Sequence, residues 1–171
     1  MPFGVKVELK GLQQAINSLQ GLSRTVRNKI LRKAITKAVQ PITKDAKARA
    51  PRRTGALRKS IGYKVVTYKR NGTVTGVIGP RKGFARMLNG SRIDPVYYAH
   101  LVELGRKSVS VKNVKVLSDG TRFYGRSVAA VSPRRFLQQA WIAGSARAAA
   151  TVATLVAQGI AAEAQKARVQ A

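Results

Sequence analysis

The stretch YKVVTYKRNGTVTGVIGP, residues 63–80, decides the fold because it predicts an antiparallel hairpin. Its first part, 63–68, is rich in Val, Thr and Tyr, which are typical of strands. Asn71-Gly72 is a strong indication of a tight hairpin turn. Residues 73–78 then form the return strand, which Gly79-Pro80 closes.

Helical periodicity predicts a long helix before this hairpin. Ser23 is a favourable N-cap, and apolar residues recur at steps of three and four over 26–46. Pro41 lacks a backbone donor, so we expect a kink there or two helices that abut. The helix should end near Ala50, because Pro51 disfavours the helical conformation of the residue before it.

Shorter elements surround these two. Alternating apolar and charged residues predict a strand at 5–9, and helical spacing predicts a short helix over 12–21. The turn 52–55 precedes a short helical turn that carries Leu57 and Ile61.

The second half of the chain is predicted from its capping residues. The basic, Gly-containing segment 81–94 is predicted to be a loop, followed by a helix over 96–104 with Asp94 as N-cap. Gly105 should end that helix. Ser132 and Pro133 predict the N-cap and first residue of the last helix.

Together these elements predict an α+β fold, in which a small antiparallel sheet carries the long N-terminal helix and the C-terminal helix packed on it. We expect a single domain over 1–171, with an extended or mobile loop or hairpin at 106–131. The N-terminus lacks a signal-peptide pattern. The most apolar stretch, 148–162, is too short and too rich in Ala to predict a membrane span.

Charge is the strongest feature of the composition. The chain has 33 Lys and Arg against 6 Asp and Glu, a formal net charge of +27. Such a chain repels itself, and physiological salt screens that repulsion only partly. We therefore expect a negative partner, which could be DNA, RNA or an acidic protein surface.

The residues needed for catalysis are scarce. There is one His, His100, there is no Cys, and the six acids are scattered along the chain. We therefore expect no catalytic, cofactor-binding or metal site, and a protein that is not an enzyme. His100 and Glu103 stand three residues apart on a predicted helix, where they could form a polar pair.

Two groups of basic residues are candidate contacts for DNA or for an acidic partner, since such contacts need only positive charge. They are Arg49, Arg52, Arg53, Arg58 and Lys59 around one turn, and Arg81, Lys82, Arg86 and Arg92 beyond the hairpin. The alternative is that each group is a solvated surface. Candidate subunit-interface residues are Tyr97, Tyr98, His100 and Glu103.

Three ordered segments resemble one family. Residues 46–61 contain Ala-Pro, a Thr-Gly turn, Leu-Arg and Ser-Ile; residues 98–105 read Tyr-Ala-His-Leu-Val-Glu-Leu-Gly; residues 132–140 read Ser-Pro-Arg-Arg-Phe-Leu-Gln-Gln-Ala. In this order they resemble the head–tail joining, or tail-completion, proteins of long-tailed double-stranded-DNA phages. The family usually has Thr after this glycine, whereas Arg106 follows Gly105 here.

The resemblance implies a structural virion protein of the phage neck. It would be a ring subunit, most simply of a hexamer, that joins the tail tube to the head-side connector at the head–tail interface. Its partners would be copies of itself, neighbouring neck and tail proteins, and double-stranded DNA in the lumen, after assembly in the host cytoplasm. Glu103 would pair with an Arg of a neighbouring subunit. The alternative is a non-specific nucleic-acid-binding protein, such as a ribosome-associated or packaging factor.

Overall fold

The computed structural model describes residues 22–68, 70, 72–88, 91–110 and 127–169. The strand predicted at 5–9 and the helix predicted over 12–21 lie outside these residues. The helices are α1 (Arg24–Arg49), α2 (Ala56–Ser60), α3 (Pro95–Leu104) and α4 (Phe136–Val169). The strands are β1 (Ile61–Thr67), β2 (Val74–Pro80), β3 (Arg86–Leu88), β4 (Ser91–Ile93), β5 (Val109–Ser110) and β6 (Ser127–Val128).

The long helix α1 begins and ends where the sequence predicts. The Val26 backbone N–H donates to the Ser23 hydroxyl at 3.4 Å, which caps the first turn. Ala50 is extended, with a ψ of 137°, so the helix stops before Pro51. The helix is continuous through Pro41, so the alternative of two abutting helices is wrong. Buried apolar side chains on both sides of that position hold it in place.

Strands β1 and β2 form the predicted hairpin. They pair antiparallel, from Ile61 opposite Pro80 to Thr67 opposite Val74. One face of the hairpin lies under α1, and Gly76 lies close to the helix. A Cβ at Gly76 would stand 2.8 Å from Val39 Cγ1 and 2.9 Å from Ile35 Cγ2. The absence of a side chain there allows the helix to lie directly on the strand.

The C-terminal helix α4 packs along α1, which in turn packs on the hairpin. Two glycines allow the helices to approach closely: a Cβ at Gly144 would stand 2.7 Å from Ile42 Cγ1, and one at Gly159 would stand 2.7 Å from Ile30 Cγ2. Phe136, which is 1% exposed, begins the contact at the other end of the core. The predicted α+β class, a small antiparallel sheet with a long N-terminal and a C-terminal helix, is confirmed; α1 lies on the sheet, whereas α4 packs on α1.

Segment 81–94 differs from its prediction as a loop. Residues 86–88 and 91–93 pair as a short antiparallel hairpin. The Asp94 carboxylate fixes its ends, accepting from the Gly83 N–H at 2.7 Å and from the Val96 N–H at 3.2 Å. The second bond is the predicted cap of α3, which ends at Gly105 as expected. Strands of only three residues are too short to show the alternation of apolar and polar side chains by which a strand is predicted.

The last helix begins later than predicted. Ser132 and Pro133 were expected to start it, but α4 begins at Phe136. The reason is that the backbone before it bonds to another helix: the Arg134 N–H donates to the Val102 carbonyl at 2.9 Å, and the Arg135 N–H donates to the Glu103 carbonyl at 3.1 Å. Those bonds hold 132–135 against the end of α3 and out of helical geometry.

Within 106–131 the described ends pair with each other. Strands β5 and β6 are antiparallel, and Arg106 and Val131 form an isolated bridge beyond them. The stem of the expected second hairpin is therefore present. Residues 111–126 lie outside the described part of the chain.

Helix α4 is long and apolar enough to cross a membrane by length and composition alone. This holds for Phe136–Lys166, where an 18-residue window has a mean hydropathy of 1.3 and is 11% buried. The full helix thus passes a test that 148–162 was expected to fail. One such helix is weak evidence for a membrane span; one side of α4 packs along α1, while most of the window is exposed.

Candidate functional site

A basic cleft forms where α1 ends and α2 begins. It has a volume of about 590 Å³ and is open to solvent. Its lining is Lys47, Arg52, Arg53, Thr54, Gly55, Arg58 and Lys59. Five cationic side chains thus surround one depression, and four of the five come from the predicted group around this turn.

The local backbone explains how the cleft is built. Gly55 has a φ of +68°, a conformation that glycine adopts without strain, and this turns the chain into α2. The Thr54 hydroxyl accepts from the Ala56 N–H at 3.4 Å. Leu57 and Ser60 are buried at 4% and 0% exposure, so one side of α2 is anchored in the core. Arg58, between them, and the exposed Lys59 carry charge on this anchored element.

Within the part of the chain that the structure describes, the cleft cations have no counter-charge. Among the described residues, none of the five cationic side chains in the lining forms an ion pair or a side-chain hydrogen bond. Arg49, the fifth residue of the predicted group, is different. It donates to the Asp45 carboxylate at 2.8 Å and does not line the cleft.

The second predicted group adjoins the cleft through Arg81. The backbone N–H of Arg81 donates to the Ser60 carbonyl at 2.9 Å, and its guanidinium lies near the same oxygen, 3.5 Å away. The guanidinium also stacks 5.2 Å from the centre of the Phe84 ring. Arg81 therefore holds the end of β2 against α2, next to Lys59.

The other members of that group do not gather at the cleft. Lys82 is exposed on the segment that follows β2. Arg86 and Arg92 are exposed on β3 and β4, where they stand opposite Ile93 and Met87. They carry positive charge on a separate, short hairpin.

The two tyrosines of α3 have different environments. Tyr97 is 69% exposed. Tyr98 packs against the main core cluster and lies beside Thr54 of the cleft turn. Burial raises the pKa of Tyr98 above its usual 10.0; the nearby Asp94 charge adds to the rise and hydrogen bonding with Thr54 opposes it. Tyr98 thus connects α3 to the cleft.

His100 and Glu103 do not form the pair that their spacing allows. His100 is exposed, and no bond joins it to Glu103 within the described residues. The Glu103 carboxylate instead caps α4. It accepts from the Leu137 N–H at 3.0 Å through Oε2 and from the Gln138 N–H at 2.9 Å through Oε1.

This cap was not foreseen in the sequence. A negative charge at a helix N-terminus is favourable and satisfies donors that have no partner within the helix. A side chain on one helix that caps another is a tertiary contact, which local spacing cannot reveal. Lys47 was also missed, because it belongs to the last turn of α1, where a cation is usual on its own account.

The described part of the chain contains no cluster of three His, Cys, Asp or Glu side chains that could hold a metal ion. A family model described as "HK97-gp10_like: Bacteriophage HK97-gp10, putative tail-component" matches residues 13–105. The match takes in α1, the cleft, the hairpins β1–β2 and β3–β4, and α3. No curated protein and no solved structure matches the chain.

Proposed function

Because the chain belongs to the HK97-gp10-like family of phage tail components, it is a structural protein of the virion, and we propose that it is a subunit of the ring that joins the tail tube to the head-side connector. The single observation that carries this proposal is the family match over 13–105. A tail component acts within an assembly, so the match supports a role that is not enzymatic.

The face of α4 supports self-assembly. Between Phe136 and Ala162 the helix carries a single charged residue, Arg147. Its apolar side chains remain accessible, with Trp141 at 38% and Ile142 at 63% exposure. Copies that each carry +27 repel one another, so they approach most easily where charge is lowest. We assign this face of α4 to contacts between copies in a ring, which we take to be a hexamer.

The remaining partners follow from the same role. A joining ring contacts neighbouring neck and tail proteins at the head–tail interface and encloses the DNA that leaves the head, and it is assembled in the host cytoplasm. The candidate interface residues Tyr97 and His100 are exposed on α3 and accessible to such contacts. Glu103 is available to a neighbouring Arg only alongside its cap of α4.

Electron microscopy tests the joining role directly. Tails assembled with and without this protein are compared at the head-proximal end. The proposal expects a ring that is missing without the protein, together with tails that fail to join heads. Tails of unchanged appearance that join heads normally would contradict it.

A matched pair of variants tests the ring face. Ile142→Lys adds a charge to the apolar face of α4, whereas Val169→Lys adds the same charge at its end, where Val169 is 88% exposed. We expect Ile142→Lys to prevent oligomers that Val169→Lys still forms, as measured by analytical ultracentrifugation. Equal assembly by both variants would place the ring contact elsewhere.

The cleft favours a second candidate, a non-specific nucleic-acid-binding protein such as a ribosome-associated or packaging factor. It would bind DNA with a steep dependence on salt. A protein that does so, yet never forms rings and never joins tails, would support this second candidate over the first.

A further inference from the structure

We propose that the basic cleft between α1 and α2 is a binding site for the sugar–phosphate backbone of double-stranded DNA. This inference rests on the proposed function, because a ring that joins head and tail encloses DNA. It adds which surface of the protein contacts that DNA. It predicts binding that depends on charge and salt but not on base sequence.

Uncompensated charge is the first observation that points to an anionic ligand. Five cationic side chains line the cleft, and none has a counter-charge among the described residues. The acids of the described chain are committed elsewhere: Asp45 pairs with Arg49, Glu163 pairs with Lys166, and Asp94 and Glu103 accept from backbone N–H groups. Among the described residues, the charge of the cleft is therefore left for an external anion to balance.

The composition of the lining favours phosphates over an acidic protein. Its members are Lys, Arg, Thr and Gly, with no aromatic or aliphatic side chain. Protein–protein interfaces draw most of their affinity from buried apolar and aromatic anchors. Contacts to a DNA backbone come instead from Arg, Lys and hydroxyl side chains and from backbone N–H groups. The Lys, Arg and Thr side chains of the cleft are thus of the kind that contacts a DNA backbone.

The geometry of α2 explains why such binding would ignore base sequence. Reading bases requires an element that enters a groove, usually a helix of several turns. Helix α2 has five residues, which at 1.5 Å each is about 8 Å, and its buried side is fixed in the core by Leu57 and Ser60. Its charged side chains can follow the backbone but cannot insert a helix into a groove.

The core places these charges at fixed positions, which distinguishes the cleft from a diffuse positive surface. Leu57 packs with Ala46 and Ala50 of α1 and its cap, in the same cluster as Phe136. Arg81 bonds the Ser60 carbonyl from the other side. The backbone under Arg58 and Lys59 is thereby held between α1 and the hairpin, so less ordering is required when DNA binds.

Two charge-matched variants test the proposal in the full chain. Arg52→Gln/Arg53→Gln/Lys59→Gln removes three charges from the cleft. Lys29→Gln/Lys33→Gln/Lys37→Gln removes three from one exposed row of α1. Fluorescence anisotropy with a labelled 30-base-pair duplex of mixed sequence, measured at several salt concentrations, gives the affinity and its salt slope for each protein.

The expected result follows from counterion release, at about 0.9 in slope for each phosphate contact. Loss of three contacts lowers the slope of log K against log salt by about 2.7. If the affinity at 1 M salt is unchanged, that slope weakens binding by up to about 500-fold at 0.1 M salt. The α1 variant should keep the wild-type slope, and a second duplex of different sequence should bind equally well.

Three outcomes would overturn the proposal: equal losses in both variants, no loss in the cleft variant, or cleft-dependent binding of poly-glutamate that is tighter than that of the duplex. The last would identify an acidic protein as the ligand. Electron microscopy of the wild-type protein shows separately whether rings form.

Rings without cleft-dependent DNA binding would contradict this inference and leave the proposed joining role intact. Cleft-dependent DNA binding without rings would support this inference and contradict the joining role.

Discussion

Replacing Glu103 with alanine should destabilise the protein more than replacing Asp45 or Glu163, because its carboxylate is the N-terminal cap of α4, whereas each of those two only pairs with a cation of its own helix. Two backbone donors lose their acceptor at once, those of Leu137 and Gln138, at 3.0 and 2.9 Å. The local alternative, Ser132, cannot replace this acceptor, since the bonds of 134–135 to α3 hold 132–135 out of helical geometry.

The magnitude can be estimated from the two bonds. Loss of a helix N-cap costs about 1 kcal/mol and at most about 2. A hydrogen bond to a charged group contributes about 1.5–3 kcal/mol when buried, but here the Leu137 bond is only partly buried and the Gln138 bond is exposed. We therefore expect Glu103→Ala to lower the free energy of unfolding by about 2 kcal/mol, which for a chain of this size is a fall in Tm of about 4–8 °C.

Glu163→Ala is the matched control. It removes the same charge from α4 itself, but Glu163 only pairs with the exposed Lys166 three residues along the helix. Such a pair contributes about 0.2–0.5 kcal/mol. The loss of stability for Glu103→Gln should lie between those of Glu103→Ala and Glu163→Ala. The amide keeps one acceptor oxygen, but its NH2 group would face the backbone N–H donors of α4.

The assay is urea unfolding of the three variants and the wild type, followed by circular dichroism at a protein concentration where the chain is monomeric. Losses for Glu103→Ala and Glu163→Ala that agree within about 0.5 kcal/mol would refute the cap. Assembly of Glu103→Gln into normal rings would, in addition, count against a salt bridge from this residue to a neighbouring subunit.

Three further predictions concern packing, backbone strain and pH. Gly159→Ala should destabilise the wild type by about 1 kcal/mol, because the new methyl group meets Ile30. In an Ile30→Ala background the same change should stabilise the protein by about as much, because alanine favours the helix more than glycine does. Thermal unfolding of the four proteins checks this change of sign. Gly55→Ala should cost about 1–2 kcal/mol in urea unfolding, and Gly55→Asn less, because φ there is +68° while the space around it is open. The raised pKa of Tyr98 contributes stability that is present below pH 10.0 and lost as pH rises through the folded value, so Tyr98→Phe should reduce the fall in Tm above pH 10; an unchanged pH profile would contradict this.

Elements defined by neighbouring residues could be predicted from the sequence. The caps of α1 and α3 are Ser23 and Asp94, whose side chains bond the backbone two or three residues on, and the 61–80 hairpin depends on strand-forming residues that flank one turn. In each case the stabilising contact lies within a few residues, so spacing alone reveals it. The α+β class could be predicted because these local signals indicate two long helices and, between them along the chain, a hairpin.

The start of α4 could not be predicted for the opposite reason. Ser132-Pro133 is a favourable local start, yet Arg135 adopts a φ of +47° and the helix begins after it. The strain of that conformation, about 1–2 kcal/mol, is offset by bonds to α3 that are more than thirty residues away in sequence. The cleft is also a product of tertiary structure: the basic residues could be counted in advance, but not which of them share a depression and which, like Arg49, are already paired.

The placement of the acids links the fold to the function. A chain with 33 basic and 6 acidic residues could have used its acids to neutralise cations. Asp94 and Glu103 instead bond backbone N–H groups at the starts of α3 and α4, where a carboxylate contributes to folding whether or not a cation is near. Only Asp45 and Glu163 pair with cations among the described residues. The first pair lies within α1 and the second within α4, and neither includes a residue of the cleft lining. The four acids that the structure describes therefore stabilise the fold without neutralising the cleft, which leaves its charge for the phosphate backbone that we propose as its ligand.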